Sequence, residues 1–280
     1  MVEMIHQSVM PDEVVDYLKP KSGEIYLDAT FGAGGHSKLI LKATNPDGKV
    51  ICLDRDPEVI QLAKDFKREY GERFQFQNIS YIKMEDLGVK VNGILFDLGL
   101  SSDQLEDSGR GFTFSKEEPL DMRFDPTHGA TAADILNRSS LDELIFIFST
   151  YAEDRYSKTL ARKVVEQRRG NPLRTTNDFI GVIGSQSPKV LARLFQALRI
   201  AVNDELNVLS RGLDAADRTL MVGGRLVVIS FHSGEDRIVK NFLRDNGYEI
   251  LTKKVCLPSF VEVERNPRCR SAKLRAGIKK

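Results

Sequence analysis

Short apolar runs that end on an acidic residue alternate with segments of helical apolar spacing through the first part of the chain. Ile25, Tyr26 and Leu27 form a β-prone run closed by Asp28, Val50 to Leu53 a second closed by Asp54, and Ile94 to Phe96 another closed by Asp97. Phe74 to Gln77 gives a weaker strand, in which apolar and polar residues alternate. Helical patterns lie between these strands. Val14, Val15 and Leu18 make a short one closed by Pro20, and Lys38 to Ala43 another, stopped by the turn residues Asn45-Pro46-Asp47-Gly48. Asp56 as N-cap and Pro57 at the first helical position open a third, with Val59, Ile60, Leu62, Ala63 and Phe66 on its apolar face. This alternation predicts an α/β fold, a parallel sheet with helices on both faces.

The pattern breaks after Asp97. The next strand is Leu226 to Ile229, introduced by Gly223-Gly224, so residues 98–224, which is 127 positions, separate two strands of one sheet. A crossover needs only about a dozen residues or somewhat more. Most of the interval is therefore an insertion, and it reads as helical. Ser140 caps Leu141 to Tyr151, Asp154 caps a helix to about Arg169, Thr176 starts another, and Val190 to Leu206 carries one long apolar stripe. Beyond it, Glu235 to Leu243 reads as a helix, with Tyr248 to Val255 and Ser271 to Ile278 as strands. The predicted division is residues 1–104 and 207–280 for the sheet domain, with 105–206 inserted.

With 280 residues, 41% of them hydrophobic and 29% charged, the chain has an ordinary globular composition. It has no apolar run of membrane-spanning length, and its start lacks the features of a signal peptide, so a cytoplasmic protein with no membrane partner is expected. Cys52, Cys256 and Cys269 lie far apart, which argues against a disulfide framework, and no metal site is expected. The net charge of +1 does not announce a nucleic-acid binder, so that property must rest on local patches. Two exist. Asp154 to Arg174 holds seven basic residues against two acidic ones, and Arg265 to Lys280 holds seven with none.

Candidate chemistry gathers where the strands end. After Leu27 and Asp28, glycines at 32, 34 and 35 allow a tight turn and close approach to a ligand, and His36 or Ser37 opens the next helix. Asp54 lies at the end of the second strand, 22 residues after Gly32. An acidic residue there reaches the two hydroxyls of a ribose, which implies an adenosine-containing ligand. Dinucleotides and S-adenosyl-L-methionine compete, and Ser37, standing where a dinucleotide fingerprint has its third glycine, leans towards the second. Asp97, Ser101, Ser102 and Gln104 would border the ligand and its reaction partner. Asp97 could hold the methionine ammonium or accept a hydrogen bond from an amine being methylated, with Ser101, Ser102 and His232 as secondary groups. A cysteine nucleophile is disfavoured, because no cysteine follows a proline. The aromatics of Arg110-Gly111-Phe112-Thr113-Phe114 are either a stacking flap or buried in the insertion.

The blocks Asp28-Ala29-Thr30-Phe31-Gly32-Ala33-Gly34-Gly35-His36-Ser37, Leu53-Asp54-Arg55-Asp56-Pro57, Asp97-Leu98-Gly99-Leu100-Ser101-Ser102, Pro119-Leu120-Asp121-Met122-Arg123 and Ile229-Ser230-Phe231-His232-Ser233, in this order, resemble the ribosomal small-subunit methyltransferase H family, also called MraW. The likeness runs from about His6 to Arg275. It implies a class I methyltransferase, Rossmann-like, with a mostly parallel seven-stranded sheet and an inserted helical substrate-recognition domain. It also implies S-adenosyl-L-methionine as cofactor and 16S rRNA or the small ribosomal subunit as partner, with methylation of a cytidine N4 amine in the decoding region. A homodimer is open. By the matching motifs, Gly34, Gly35, His36, Asp54, Asp97 and Gln104 fall on cofactor positions, and Tyr81 falls where an aromatic lies against adenine. The chain departs from the pattern at Ala29, at Gly234, at Tyr151-Ala152-Glu153-Asp154-Arg155, in lacking His-Pro-Ala before Phe195, and in a short segment from Cys256 to Glu264. An S-adenosyl-L-methionine-binding RNA or ribosome-assembly module without turnover is the alternative. A nucleotide-dependent oxidoreductase is the weaker third.

Overall fold

The structure, a computed structural model, describes residues 8–100, 105, 108–184 and 186–280. Seven strands form one sheet: β1 (Ile25–Asp28), β2 (Lys49–Leu53), β3 (Phe74–Gln77), β4 (Val91–Asp97), β5 (Leu220–Ser230), β6 (Glu249–Ile250) and β7 (Lys273–Ile278). Their order is β3-β2-β1-β4-β5-β7-β6. The first five run parallel, and β7 is antiparallel to both neighbours. The order reverses at β1 and β4, so the carboxyl ends of those strands flank the switch point.

Strand side chains alternate between two faces, and both faces are buried. Leu27, Ile51, Ile94, Phe96, Leu226 and Val228 face one side, where Leu209 and Leu213 of one helix and Val239 and Leu243 of another cover them. Tyr26, Val50, Cys52, Leu95, Val227 and Ile229 face the other, against Val14, Leu18, Ile40, Leu41 and Phe66. The covering helices are α1 (Pro11–Leu18), α2 (Gly35–Ala43) and α3 (Ile60–Tyr70). No helix among the described residues is long and apolar enough to cross a membrane.

The chain divides into two compact units, Met1–Gly99 with Leu206–Lys280, and Leu100–Glu205. The second contains α4 (Ala132–Arg138), α5 (Leu141–Phe146), α6 (Ser157–Gly170), α7 (Thr176–Ile183) and α8 (Pro188–Asn203) around their own core of Leu120, Met122, Phe148, Phe179, Leu194 and Phe195. Phe112 belongs to that core, stacked on Phe124 with ring centroids 5.7 Å apart. The guanidinium of buried Arg110 donates to the Phe124 carbonyl at 3.0 Å, so this motif is a packed element of the unit.

Several boundaries differ from the sequence reading, each for a local reason. The long stripe from Val190 splits because Asp204 adopts a left-handed conformation (φ 48°), ending α8 and starting α9 (Glu205–Thr219). Helix α6 begins at Ser157, with Tyr156 as its N-cap and the Tyr156 carbonyl accepting the Leu160 N–H at 2.9 Å, while Asp154 accepts the Tyr156 N–H (2.7 Å) in the turn before it. Gly223 and Gly224 lie inside β5, where the register against β4 shifts, and so form a bulge. Strand β6 keeps only two residues, because Thr252 leaves the ladder to accept the Ala276 N–H through its hydroxyl at 3.0 Å.

Asn203, at the end of α8, accepts the Phe124 N–H (2.9 Å) and donates to the Met122 carbonyl (2.7 Å) inside the helical unit. Asn203→Ala leaves two buried backbone groups unpaired. A loss of about 2–4 kcal/mol is expected from urea unfolding, and a loss within error would show that solvent reaches these groups.

Candidate active site

Strand β1 delivers Asp28 to the switch point, 1% exposed. Its Oδ1 accepts the Thr30 N–H at 3.1 Å, and its Oδ2 accepts the Ser37 hydroxyl at 2.6 Å. Burial pushes this carboxyl up to about 6, against the opposing pull of the Ser37 hydroxyl, the His36 charge and the Thr30 N–H. The Thr30 hydroxyl in turn accepts the Asp97 N–H at 2.7 Å, joining the ends of β1 and β4.

The glycine turn follows. Gly34 is left-handed (φ 76°) and caps α2, which begins at Gly35 and not at His36 or Ser37. A Cβ on Gly34 would lie 2.5 Å from the Phe66 ring, and one on Gly35 would collide with the Ser8 hydroxyl. Neither position therefore tolerates a side chain in this geometry. Asp54 ends β2 and locks the turn from the side. Its Oδ2 accepts the Gly32 N–H at 2.8 Å and its Oδ1 the Asp56 N–H at 2.9 Å. Burial raises the Asp54 pKa, and these two N–H groups partly offset it. Each oxygen retains a second lone pair, which suits it to accept from a ribose diol.

His36 and Asp97 face each other. His36 Nε2 lies 3.3 Å from Asp97 Oδ2, and both ring nitrogens are otherwise buried without hydrogen-bond partners. Burial disfavours charge on the ring, yet Asp97 and, less strongly, Asp28 outweigh it and raise the imidazole pKa. Asp97 Oδ1 is a buried carboxylate oxygen with no hydrogen-bond partner among the described residues. An unpaired acceptor of this kind is costly in the protein alone, and it fits an ammonium or amine donor.

The remaining predicted residues fall variously. Tyr81 lies beyond the carboxyl end of β3, its ring edge-on to Phe96 (centroids 5.2 Å apart) and packed against Gly212 of α9. His232 follows β5 and caps α10 (Ser233–Asp245). Its Nδ1 accepts the Glu235 N–H at 3.4 Å, while Glu235 Oε2 accepts the Phe231 N–H at 2.8 Å. That makes His232 a capping residue, with its Nε2 3.4 Å from Glu235 Oε1. Gly234 leaves room for the ring, since a Cβ there would sit 3.1 Å from His232 Nδ1. Ser101, Ser102 and Gln104 lie outside the described residues. Cys52 is buried 3.1 Å from the Ser37 hydroxyl, and burial holds its thiol protonated. Sequence reasoning missed Thr30 and the Asp28–Ser37 pair as positioning groups. The nine-residue separation of Asp28 and Ser37 was their one available signal.

A glycine turn beside three acidic strand ends, at the switch point of a 3-2-1-4-5-7-6 sheet with its seventh strand reversed, defines an α/β enzyme of the class I methyltransferase fold. Residues 3–280 match the MraW methylase family, and the chain belongs to that family. It is 46% identical over 288 residues to the ribosomal RNA small subunit methyltransferase H of Dictyoglomus thermophilum, covering 99% of this chain and 97% of that protein. The protein of the same name from a Cyanothece species is 46% identical over 280 residues, covering 98% and 94%. Among solved structures, NSun6 from Pyrococcus horikoshii with SFG has a TM-score of 0.50 at 13% identity, covering 97% of this chain and 52% of that one, a likeness of fold.

Because folded Asp28 binds its proton more tightly than the unfolded chain, its contribution to stability is present in full below pH 3.8 and is lost as pH rises to about 6. Asp28→Asn keeps an acceptor for Thr30 and removes the charge. The unfolding free energy of wild type relative to this variant should fall by on the order of 3 kcal/mol across that window. Parallel pH profiles for the two proteins would show Asp28 to be solvated.

Proposed function

We propose that this protein is an S-adenosyl-L-methionine-dependent methyltransferase acting on 16S ribosomal RNA, and that it methylates the N4 amine of a cytidine in the decoding region. The observation that carries this reading is the Asp97 carboxylate at the switch point, with Oδ2 turned to His36 and Oδ1 without a hydrogen-bond partner among the described residues. The relatives that share nearly the full length are methyltransferases of small-subunit ribosomal RNA by name, which supports the substrate.

When bound, S-adenosyl-L-methionine supplies a methyl group activated on a sulfonium. Gly34 and Gly35 would admit its carboxylate end, and Asp54 would accept from its ribose hydroxyls. The N4 amine is a poor nucleophile, because its lone pair is delocalised into the ring. Asp97 would orient that amine by accepting one of its N–H groups, which frees the lone pair for in-line attack and leaves an acceptor for the departing proton. If Asp97 holds the cofactor ammonium instead, it still fixes where the methyl group lies. Positioning of this kind contributes on the order of 7–11 kcal/mol in ideal cases. No cysteine nucleophile is needed.

The helical unit, assigned here to substrate recognition, has the surface for it. Arg155, Lys158, Arg162, Lys163 and Arg169 are exposed on and just before α6, beside Tyr156, which is 75% exposed. Cations around an exposed aromatic suit phosphates and bases.

Incubation with labelled S-adenosyl-L-methionine and unmodified small subunits, followed by digestion to nucleosides, tests the reading. Label is expected in N4-methylcytidine. Cofactor binding without transfer would favour the assembly-module alternative, and no affinity for the cofactor would sink both. Asp97→Ala should lower transfer by roughly 10²–10⁴-fold with an unchanged urea midpoint, and wild-type turnover would remove Asp97 from the mechanism.

A further inference from the structure

Between Cys256 and Leu274 the chain makes an excursion closed at its base. Cys256 N–H donates to the Leu274 carbonyl at 3.1 Å, and Leu274 N–H donates back at 2.9 Å. Because Lys273 pairs with Ser230, one step from the Asp97–Ile229 pair, the excursion emerges at the edge of the sheet that carries Asp97. Buried Cys269 and Ala272 anchor it. A short helix, α11 (Phe260–Arg265), is capped by Ser259, whose hydroxyl accepts the Glu262 N–H at 3.1 Å. The Glu262 carboxylate accepts the Met10 N–H at 2.6 Å. Met10 lies two residues from Ser8, which packs on Gly35, so the excursion is tied to the segment lying over the glycine turn. Glu262 also adds to the field on His36.

The outer face of this excursion combines exposed apolar side chains with exposed cations. Phe260 is 76% exposed, Leu257 57% and Val261 52%, leaving apolar area in water that burial would favour. Around them Arg265, Arg268, Arg270, Lys253 and Lys254 are exposed, with Glu264 as the one exposed acid in residues 253–273. Arg275 and Lys279 lie in ion pairs with Asp236 and Asp217. A small apolar patch ringed by five cations suits a single strand of nucleic acid, with bases on the aromatic and phosphates on the cations. A two-fold self-association would set like charges against one another, and protein-docking faces are depleted in lysine.

We propose that residues 257–273 form an RNA-gripping arm, in which Phe260 stacks on an unpaired base while Arg265, Arg268 and Arg270 hold phosphates of the same strand beside the Asp97 edge. The proposal rests on the RNA reading above and names where the chain holds its substrate strand. Phe260 is a positioning residue and Asp97 remains the group at the reacting atoms.

The test uses the full chain with unmodified small subunits, a labelled single-stranded RNA oligonucleotide, and anionic vesicles. Phe260→Ala should raise KM for the subunit and Kd for the oligonucleotide roughly ten-fold, with kcat and cofactor affinity unchanged, and Phe260→Trp should restore both. Arg265→Gln with Arg270→Gln should lower the slope of log affinity against log salt by about 0.7 for each lost contact. Unchanged KM and salt slope in these variants, with an active wild type, would overturn the arm and leave the RNA reading standing. A wild type that binds no RNA and methylates none would overturn both. Vesicle binding or self-association lost in Phe260→Ala, with RNA affinity intact, would assign the face to a membrane or a second copy and overturn the proposal. So would a parallel loss of cofactor affinity, which marks a structural role.

Discussion

The carboxyl edge of the sheet depends on pairing the backbone N–H groups that parallel strands release where they end. Three short side chains do this. Asp54 takes the Gly32 and Asp56 N–H groups, Asp28 takes that of Thr30, and the Thr30 hydroxyl takes that of Asp97. These bonds tie the strand ends to the turns, so the glycine turn, Asp54 and Asp97 form one connected frame. A loop with its backbone groups in water would not hold these positions to the tolerance that transfer chemistry requires.

The same frame concentrates negative charge. Asp28 and Asp97 act on a single imidazole, and burial raises the pKa of Asp28 and of Asp54 across the glycine turn. The cluster is tolerable because most carboxylate oxygens already accept a hydrogen bond and because His36 is drawn towards its charged form. The exception is Asp97 Oδ1. An acceptor left unpaired in so constrained a place is a feature that binding would complete, which is why the functional reading centres on that atom.

Recognition of a large anionic partner draws on other parts of the chain. A net charge of +1 hides a strong separation of charges. In the sheet unit, some C-terminal cations are neutralised by partners within the fold while those around Phe260 stay exposed. In the helical unit, α6 carries its own row of exposed cations. Exposed positive charge is thus local, apart from the glycine turn and the acidic strand ends.

The amino-acid sequence by itself determined the strands and the order of the chemistry along them. Apolar runs that stop at Asp28, Asp54 and Asp97 are local signals, because a strand buried on both faces must be continuously apolar and its first polar residue marks where it leaves the core. The break in alternation after Asp97 likewise revealed a segment that adds no strand to the sheet. What only the tertiary structure decided were breaks, caps and long-range contacts that spacing leaves open. Asp204 ends α8 and splits a stripe that periodicity reads as one helix. His232 caps α10, with Glu235 returning to its backbone. Glu262 reaches Met10 across 252 residues and brings an exposed aromatic and its arginines to the edge that holds Asp97. No spacing rule encodes such a contact, because it depends on where the sheet brings the two ends of the chain together.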